Sequence, residues 1–176
     1  MNLLHRPAVP AGPAVAIAPR TLQQVANQRR DITMSAEEVA AFLAQRHTAT
    51  MCTLNRDGSI HAVAMWYGFL EGRFALHTKA RSQKARNLSR DPRMTCLVEA
   101  GDRYEELRGV ELVGTAVLVE DARQLFAVGV SVFDRYVAPY TEAARDAVET
   151  MLRKRVAFVL HVERTVSWDH RKLSAS

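Results

Sequence analysis

Alternating apolar and polar residues predict a series of short strands in the middle of the chain. Thr48–Leu54 is predicted as the first strand, and Asn55–Gly58 supplies the Asp-Gly pair that a tight hairpin favours. Ile60–Leu70 is predicted as a long second strand. Glu71 and Gly72 turn it into a third strand at Arg73–Thr78. Strands joined by such short turns predict an antiparallel meander.

Helical periodicity and further strands surround this meander. Four helices are predicted: one that Ser35 opens through a capping box with Glu38, then Ser82–Arg90, Asp121–Tyr136 and Glu142–Arg153. Three more strands are predicted: Arg93–Glu99, Arg108–Glu120, and Val156–Val162 continuing towards Trp168. Six antiparallel strands favour a closed or nearly closed barrel, because closure removes exposed edges. The predicted fold is therefore mainly β (α+β), a six-stranded antiparallel barrel with peripheral helices.

Length and composition predict one globular domain with a short extension. The chain has 176 residues, of which 48% are hydrophobic and 24% charged, as in ordinary globular domains. Residues 1–33 begin with the Pro/Ala-rich stretch Pro7–Pro19 and are predicted to be a flexible extension. Residues 34–176 are predicted to form the folded domain. No run approaches the roughly 20 apolar residues that a membrane span needs.

Charge and cysteine usage limit the partners that the chain can have. The net charge of +5 favours anionic ligands, but no run of five Lys or Arg predicts a nucleic-acid arm. Cys52 and Cys96 lie in apolar runs and are predicted to be buried, reduced thiols, which favours a cytoplasmic protein. Six scattered histidines lack the spacing of a metal site, so no metal is expected.

The stretch from His77 to Asn87 combines cations, hydroxyls and the start of a helix. The first amides of a helix lack partners within the helix and favour an anion. Thr78 and Ser82 add hydroxyls, while Arg81 and Lys84 can reach the same side of the first turn. This pattern predicts a phosphate site. An ordinary solvated helix face, with Arg86 among its cations, explains the same pattern equally well.

The same stretch, LHTKARSQKARNLSRDPRM, resembles the phosphate-binding strand and helix of the pyridoxamine-phosphate-oxidase-like split-barrel superfamily. Within it, the chain is similar to the deazaflavin (coenzyme F-420)-dependent reductases. The hairpins TLNRDGSIHAVAMWYGF and EGRFALHT and the terminal SWDHRKL agree in order. The resemblance covers Met34–Leu173. It implies an FMN-binding split barrel that forms a homodimer, with the cofactor in a groove between subunits.

By position, the resemblance implies that the cofactor phosphate is held by Thr78, Arg81, Ser82 and Lys84, with Lys79 close by. Met65, Trp66 and Tyr67 would lie along the isoalloxazine ring. Packing in the core or at the dimer interface is as good an explanation for Trp66 and Tyr67. The resemblance also places Trp168 near the cofactor, and it assigns Asn87 to orienting the helix.

The function implied is reduction of a small conjugated organic substrate by hydride transfer from reduced F-420. FMN is the alternative cofactor because it shares the ribityl-phosphate head; the basic balance favours F-420, whose tail carries further carboxylates. The C-terminal RKLSAS does not match the arginine-containing tail of true pyridoxamine-phosphate oxidases. No catalytic side chain is identified. A haem protein with His61 or His161 as axial ligand, and a non-catalytic flavin binder, remain open.

Overall fold

The computed structural model describes residues 29–45 and 47–174. Most of the predicted extension, residues 1–33, lies outside this range. The division into an extension and a domain therefore stays a prediction.

Within the described residues, seven strands and four α-helices of eight residues or more follow one another. The strands are β1 Ala49–Leu54, β2 Ile60–Met65, β3 Gly68–Leu70, β4 Arg73–Lys79, β5 Arg93–Ala100, β6 Arg108–Val119 and β7 Arg155–Asp169. The α-helices are α1 Ala36–Ala44, α2 Gln83–Arg90, α3 Ala122–Tyr136 and α4 Arg145–Leu152. Short 3₁₀ turns occupy Tyr104–Glu106, Glu142–Ala144 and His170–Ser174.

Side-chain caps fix the helix starts where the sequence predicts them. The hydroxyl of Ser35 accepts from the Glu38 amide at 3.2 Å, and the Glu38 carboxylate accepts from the Ser35 amide at 2.7 Å. This reciprocal capping box satisfies two amides that have no partner inside the helix. Asp121 caps α3 by accepting from two backbone amides. The helix predicted at Glu142–Arg153 begins with a 3₁₀ turn and becomes α-helical at Arg145.

The prediction of six strands is wrong in one place, because Ile60–Leu70 forms two strands. The sheet order is β2-β1-β5-β6-β7-β4-β3, so β2 and β3 lie at opposite edges. Only Trp66 and Tyr67 separate them in sequence. A two-residue link between the two edges requires the antiparallel sheet to curl until its edges meet. The predicted split-barrel class is thus confirmed, with seven strands.

The curled sheet has apolar side chains on both faces of β4. Phe74 and Leu76 belong to the large cluster inside the barrel. Ala75 faces the other way and joins a smaller cluster that includes Val128 of α3. Burial on both faces is why β4 lacks a polar side over most of its length. Helix α3 covers this part of the outer surface.

The segment before α1 lies against the end of β7. The amide of Asp169 donates to the Ile32 carbonyl at 2.7 Å, and the Met34 amide donates to the Ser167 hydroxyl at 3.1 Å. The Lys172 ammonium donates to the Thr33 carbonyl at 2.8 Å. These three bonds join the N-terminal part of the described chain to its C-terminal part.

Candidate anion-binding site

The junction between β4 and α2 is a tight turn held by its own hydrogen bonds. Lys79 ends the strand, and its carbonyl accepts from the Ser82 amide at 2.9 Å. The Ser82 hydroxyl caps α2 by accepting from the Ala85 amide at 3.3 Å. It also lies 3.2 Å from the Thr78 hydroxyl. The two hydroxyls that the sequence singled out therefore lie together at the helix N-terminus.

A second basic turn, between α4 and β7, lies beside this junction. Because β4 pairs with β7, Lys79 is opposite Arg155. The Ala80 amide donates to the Lys154 carbonyl at 2.9 Å, which ties the two turns together. Lys154 has a φ of 57°, a left-handed conformation that costs roughly 1–3 kcal/mol in a residue other than glycine. The surrounding hydrogen bonds hold that conformation in place.

The two turns line a cavity of about 600 Å³, here called the junction cavity. Its lining residues are Lys79, Ala80, Arg81, Arg153 and Lys154. All four cations are exposed, and none forms an ion pair within residues 29–45 and 47–174. Four unpaired positive charges around one cavity fit an anion. The sequence predicted Lys79 and Arg81 here but missed Arg153 and Lys154.

Thr78, Ser82 and Lys84 lie beside the junction cavity rather than in its lining. Thr78 is buried, and strand alternation places it on the barrel-interior face of β4. Lys84 is half-buried in the first turn of α2. Burial lowers the pKa of the Lys84 ammonium, and the nearby Arg155 guanidinium lowers it further. An anion bound nearby would reverse that trend by stabilising the charged ammonium.

His77 is a buried group next to this cationic region. Its Nδ1 lies 3.5 Å from the Arg155 guanidinium, and its Nε2 is buried without a hydrogen-bond partner in the described chain. Burial lowers the pKa of His77 to about 4, with a further contribution from the charge of Arg155. The imidazole is therefore neutral at physiological pH and adds no charge to the site.

Asn87 holds helix α2 against the first hairpin. It is fully buried, and its amide nitrogen donates to the Thr53 hydroxyl and the Asn55 side-chain oxygen, each at 3.0 Å. Its own oxygen accepts from Gln83 at 2.9 Å. These bonds account for every polar atom of the side chain's amide, so the residue positions the helix that carries Ser82 and Lys84.

Met65, Trp66 and Tyr67 lie at the link where the two sheet edges meet. Gly68 on β3 pairs with Ala75 on β4. Met65 comes three residues before Gly68, and Thr78 comes three residues after Ala75. Because β3 and β4 run in opposite directions, Met65 and Thr78 both lie towards the same end of this strand pair. Met65 is half-buried. Trp66 is 49% exposed and stacks on Tyr136, with ring centroids 4.9 Å apart.

The side chain of Tyr67, in contrast, points into the core. It is fully buried and stacks on Phe74, with ring centroids 4.6 Å apart. Its hydroxyl donates to the Leu43 carbonyl at 2.9 Å. Burial raises the pKa of Tyr67 to about 12, although the nearby Arg135 charge opposes this. Of the two explanations for this residue, core packing describes the side chain.

Arg135 joins Tyr67 to the end of α1 and was not predicted from sequence. Its guanidinium lies 4.6 Å from the centre of the Tyr67 ring. It donates to the carbonyls of Leu43, Ala44 and Gln45 at 2.7–3.1 Å. The Leu43 carbonyl also accepts from the Tyr67 hydroxyl and the Gln45 carbonyl from the His47 amide. A cation at this helix C-terminus is favourable. No motif in the sequence signals this role, which depends on α3 crossing the end of α1.

Trp168 lies far from the junction cavity within one chain. It comes thirteen positions after Arg155 on β7, which is roughly 40 Å of extended strand. Its indole covers Gly109, where an added Cβ would lie 2.3 Å from the Trp168 ring. The close approach explains the glycine at that position of β6. Trp168 therefore does not join the predicted phosphate-binding residues of its own chain.

The cysteines and the metal-ligating side chains of the described residues add no further site. Both cysteines are free; Cys96 is buried as predicted, while Cys52 is only half-buried. Burial raises the pKa of the Cys96 thiol to about 12. Across residues 29–45 and 47–174, no three His, Cys, Asp or Glu side chains gather to hold a metal ion. No helix in this part of the chain is long and apolar enough to cross a membrane.

Comparisons with known proteins agree with this architecture. The pyridoxamine 5'-phosphate oxidase family model matches residues 35–169. A conserved hypothetical protein from Mycobacterium tuberculosis has 49% identity and a TM-score of 0.81, over 84% of this chain and 92% of that one. An F-420 reductase has 24% identity and a TM-score of 0.54, over 71% of this chain and 93% of that one. None of the curated proteins matches the chain.

A haem storage protein from Vibrio cholerae has 16% identity and a TM-score of 0.59, over 76% of this chain and 96% of that one. At such identities it and the F-420 reductase show the fold alone. The curled antiparallel sheet defines a split β-barrel protein, in which a basic strand-to-helix junction adjoins the barrel. The chain belongs to the pyridoxamine 5'-phosphate oxidase family.

Proposed function

We propose that this chain is a reductase that binds coenzyme F-420 and reduces a small, conjugated organic substrate. The observation that carries the proposal is the set of four cations around the junction cavity, none of which forms an ion pair with any other described residue. Like charges held together repel each other, and a phosphate between them relieves that repulsion. The chemistry of these donors fits the phosphate of a flavin or deazaflavin. The F-420 reductase among the similar structures adds support to this choice.

The residues that would hold the phosphate come from the two basic turns. Arg81 offers a planar fork and Lys79 a point charge, while Arg153 and Lys154 extend the cationic surface. Thr78 and Ser82 would contribute hydroxyls at the N-terminus of α2. Lys84, in the first turn of that helix, would add a further cation.

A second copy of the chain would complete the site. We propose that Met65 and Trp66 lie along the ring of the cofactor, with the backbone of Tyr67 beside them. Trp168 lies far along β7 from Arg155 and the junction cavity, so we propose that it contributes from the partner in a homodimer. The half-exposed Trp66 is the aromatic side chain of this group best placed to meet a planar ligand.

The bound cofactor would supply the hydride. The chain itself then has to position the cofactor and the substrate and keep water away from them. No acid of the described site is suited to donate a proton: Tyr67 is buried with a pKa of about 12, and His77 is neutral. The proton would therefore come from solvent. The proposal assigns no catalytic side chain.

FMN is the alternative cofactor, because its phosphate could bind to the same cations and hydroxyls at the junction. Haem binding is the other alternative, supported by the fold shared with the haem storage protein. Its candidate ligands differ in exposure, since His61 is half-buried on β2 and His161 is exposed on β7. A non-catalytic flavin binder would use the same cations as the reductase.

The test is a fluorescence titration of the purified protein with F-420 and, separately, with FMN. Tighter binding of F-420 supports the proposal, and the opposite preference moves the protein to FMN. Binding of neither overturns the assignment of the site. A Soret band after reconstitution with haem would favour the haem alternative. Oxidation of reduced F-420 in the presence of substrates then distinguishes a reductase from a binder.

A further inference from the structure

Arg155 is a half-buried cation that has no anionic partner in the described chain. It begins β7 and lies opposite Lys79 of β4. Within residues 29–45 and 47–174 it forms no ion pair. The acceptor that these residues offer to its guanidinium is Nδ1 of His77, at 3.5 Å, which is long for a hydrogen bond. A guanidinium group has five N–H donors, so most of them remain available to a ligand.

The charge of Arg155 acts on two neighbouring groups. It lowers the pKa of the Lys84 ammonium, which burial lowers already, and it contributes in the same way to the low pKa of His77. Arg155 and Lys84 are thus two half-buried cations that face each other near the start of α2. Their repulsion is stronger than that between exposed charges, and a phosphate group bound between them would remove it. The surroundings of Arg155 therefore fit an anion-binding arginine.

His77 restricts the positions that the Arg155 guanidinium can take. Because His77 pairs with Ala157, it lies on the same face of the sheet as Arg155. The imidazole is 7% exposed, so packing fixes it in place. Arginine can only donate, so the Nδ1 atom beside it is the unprotonated nitrogen of a neutral ring. A fixed acceptor reduces the conformational freedom that a long arginine side chain loses when a ligand binds.

We propose that Arg155 is a further residue that binds the phosphate group at the junction of β4 and α2, and that His77 is the positioning residue that holds Arg155 for this contact. The inference deepens the proposed function, on which it rests, because the phosphate is that of the proposed cofactor. The exposed cations of the junction cavity attract the anion. Arg155 adds a less solvated, and therefore stronger, charged hydrogen bond. His77 acts through Arg155 and makes no contact of its own with the phosphate.

The experiment measures binding of F-420, of FMN and of inorganic phosphate to wild type and to single variants. Arg155→Met should raise the Kd of the cofactor about tenfold or more, as expected for loss of a charged hydrogen bond, and should weaken inorganic phosphate as well. His77→Leu removes the acceptor and should raise the Kd severalfold. His77→Gln keeps an acceptor and should bind almost as wild type does. Arg73→Met is the matched control, because Arg73 is exposed at the opposite end of β4, and it should leave each Kd unchanged.

A double variant separates a positioning role of His77 from a merely structural one. If His77 acts through Arg155, His77→Leu combined with Arg155→Met should bind the cofactor no more weakly than Arg155→Met alone. Losses that add up in the double variant, or a His77→Gln variant that binds as weakly as His77→Leu, would overturn the positioning role. Circular dichroism checks that each variant is folded. If Arg155→Met does not fold, Arg155→Lys takes its place, and it should bind severalfold more weakly because it lacks the planar fork.

The outcomes also separate this inference from the proposed function. If wild type binds neither cofactor and no inorganic phosphate, both are overturned. If wild type binds inorganic phosphate but neither cofactor, and Arg155→Met weakens that binding, only the proposed function is overturned. If wild type binds a cofactor and Arg155→Met binds it equally well, the assignment of Arg155 is overturned and the proposed function stands.

Discussion

Two regions of this molecule use arginine in opposite ways. At the junction cavity, Arg81 and Arg153 are exposed and have no acidic partner in the described chain. In the last turn of α3, Arg135 is half-buried, lies over aromatic rings and donates to three carbonyls. The hydrogen bonds of Arg135 stabilise the fold, whereas Arg81 and Arg153 are available to a ligand. What distinguishes a structural arginine from a ligand-binding one is therefore its set of partners within the chain.

The largest expected effect is on cofactor binding at the junction. Arg81→Ala combined with Lys84→Ala removes two cations from the predicted phosphate site. At roughly 1.5–3 kcal/mol for each charged hydrogen bond lost, the Kd should rise by about 100-fold or more. Fluorescence titration with the preferred cofactor measures the change.

The matched control for this pair removes two exposed arginines elsewhere. Arg73→Ala with Arg86→Ala lowers the net charge by the same amount, but Arg73 lies at the far end of β4 and Arg86 on the exposed face of α2. Its Kd should stay close to that of wild type. Equal weakening in both double variants would mean that overall charge, and not a local site, attracts the cofactor.

The region around Arg135, Tyr67, Trp66 and Tyr136, here called the aromatic region, should show the reverse pattern. A substitution there should lower the stability of the protein without weakening cofactor binding. Arg135→Met removes the guanidinium that donates to the carbonyls of Leu43, Ala44 and Gln45, which we expect to cost about 3 kcal/mol. Urea unfolding measures the loss. The Kd for cofactor, determined where the variant is folded, should be unchanged. A stable variant with weakened binding would reverse the roles assigned to the two regions.

The next effect is a pH-dependent loss of about 2 kcal/mol in the free energy of unfolding, which we expect from the buried His77 and not from the exposed cations around it. The pKa of His77 is lowered from 6.5 to about 4 in the folded protein. Protonation therefore favours the unfolded chain, and stability falls as the pH drops from 6.5 towards 4. Between pH 7 and pH 5 the loss due to His77 should be about 2 kcal/mol.

Urea unfolding of wild type and His77→Gln at pH 7, 6 and 5 checks this dependence. The variant should lose less stability over that range. It should keep part of the loss, because burial also lowers the pKa of His47. Parallel pH profiles for the two proteins would show that His77 is not the group responsible.

Local patterns were enough to predict most of the fold. The capping box at Ser35, the Asp-Gly hairpin and the long strand after Arg108 are each encoded in a few neighbouring residues. The break at Trp66 and Tyr67 was not predictable in this way, because both halves of Ile60–Leu70 have strand-like sequences. What separates β2 from β3 is the choice of pairing partner, and this depends on residues far away in the chain.

The same reasoning explains which part of the site the sequence revealed. Thr78–Lys84 is one continuous stretch, and its composition alone indicated a site. Arg153 and Lys154 come together with it only because β4 pairs with β7. The run of cations from Arg153 to Arg155, which leads into the last strand, was the available signal. Its importance depends on knowing that these two strands are neighbours.

The smallest predicted effect concerns Trp66, the residue that links the two regions. Its ring stacks on Tyr136 but is 49% exposed, so Trp66→Ala should cost only about 1 kcal/mol of stability. If the exposed face also meets the cofactor, the same variant should raise the Kd severalfold, and Trp66→Phe should restore most of the affinity. A loss of stability with an unchanged Kd would assign Trp66 to packing alone. The cofactor would then depend on the junction and on a partner subunit, and the aromatic region would be structural throughout.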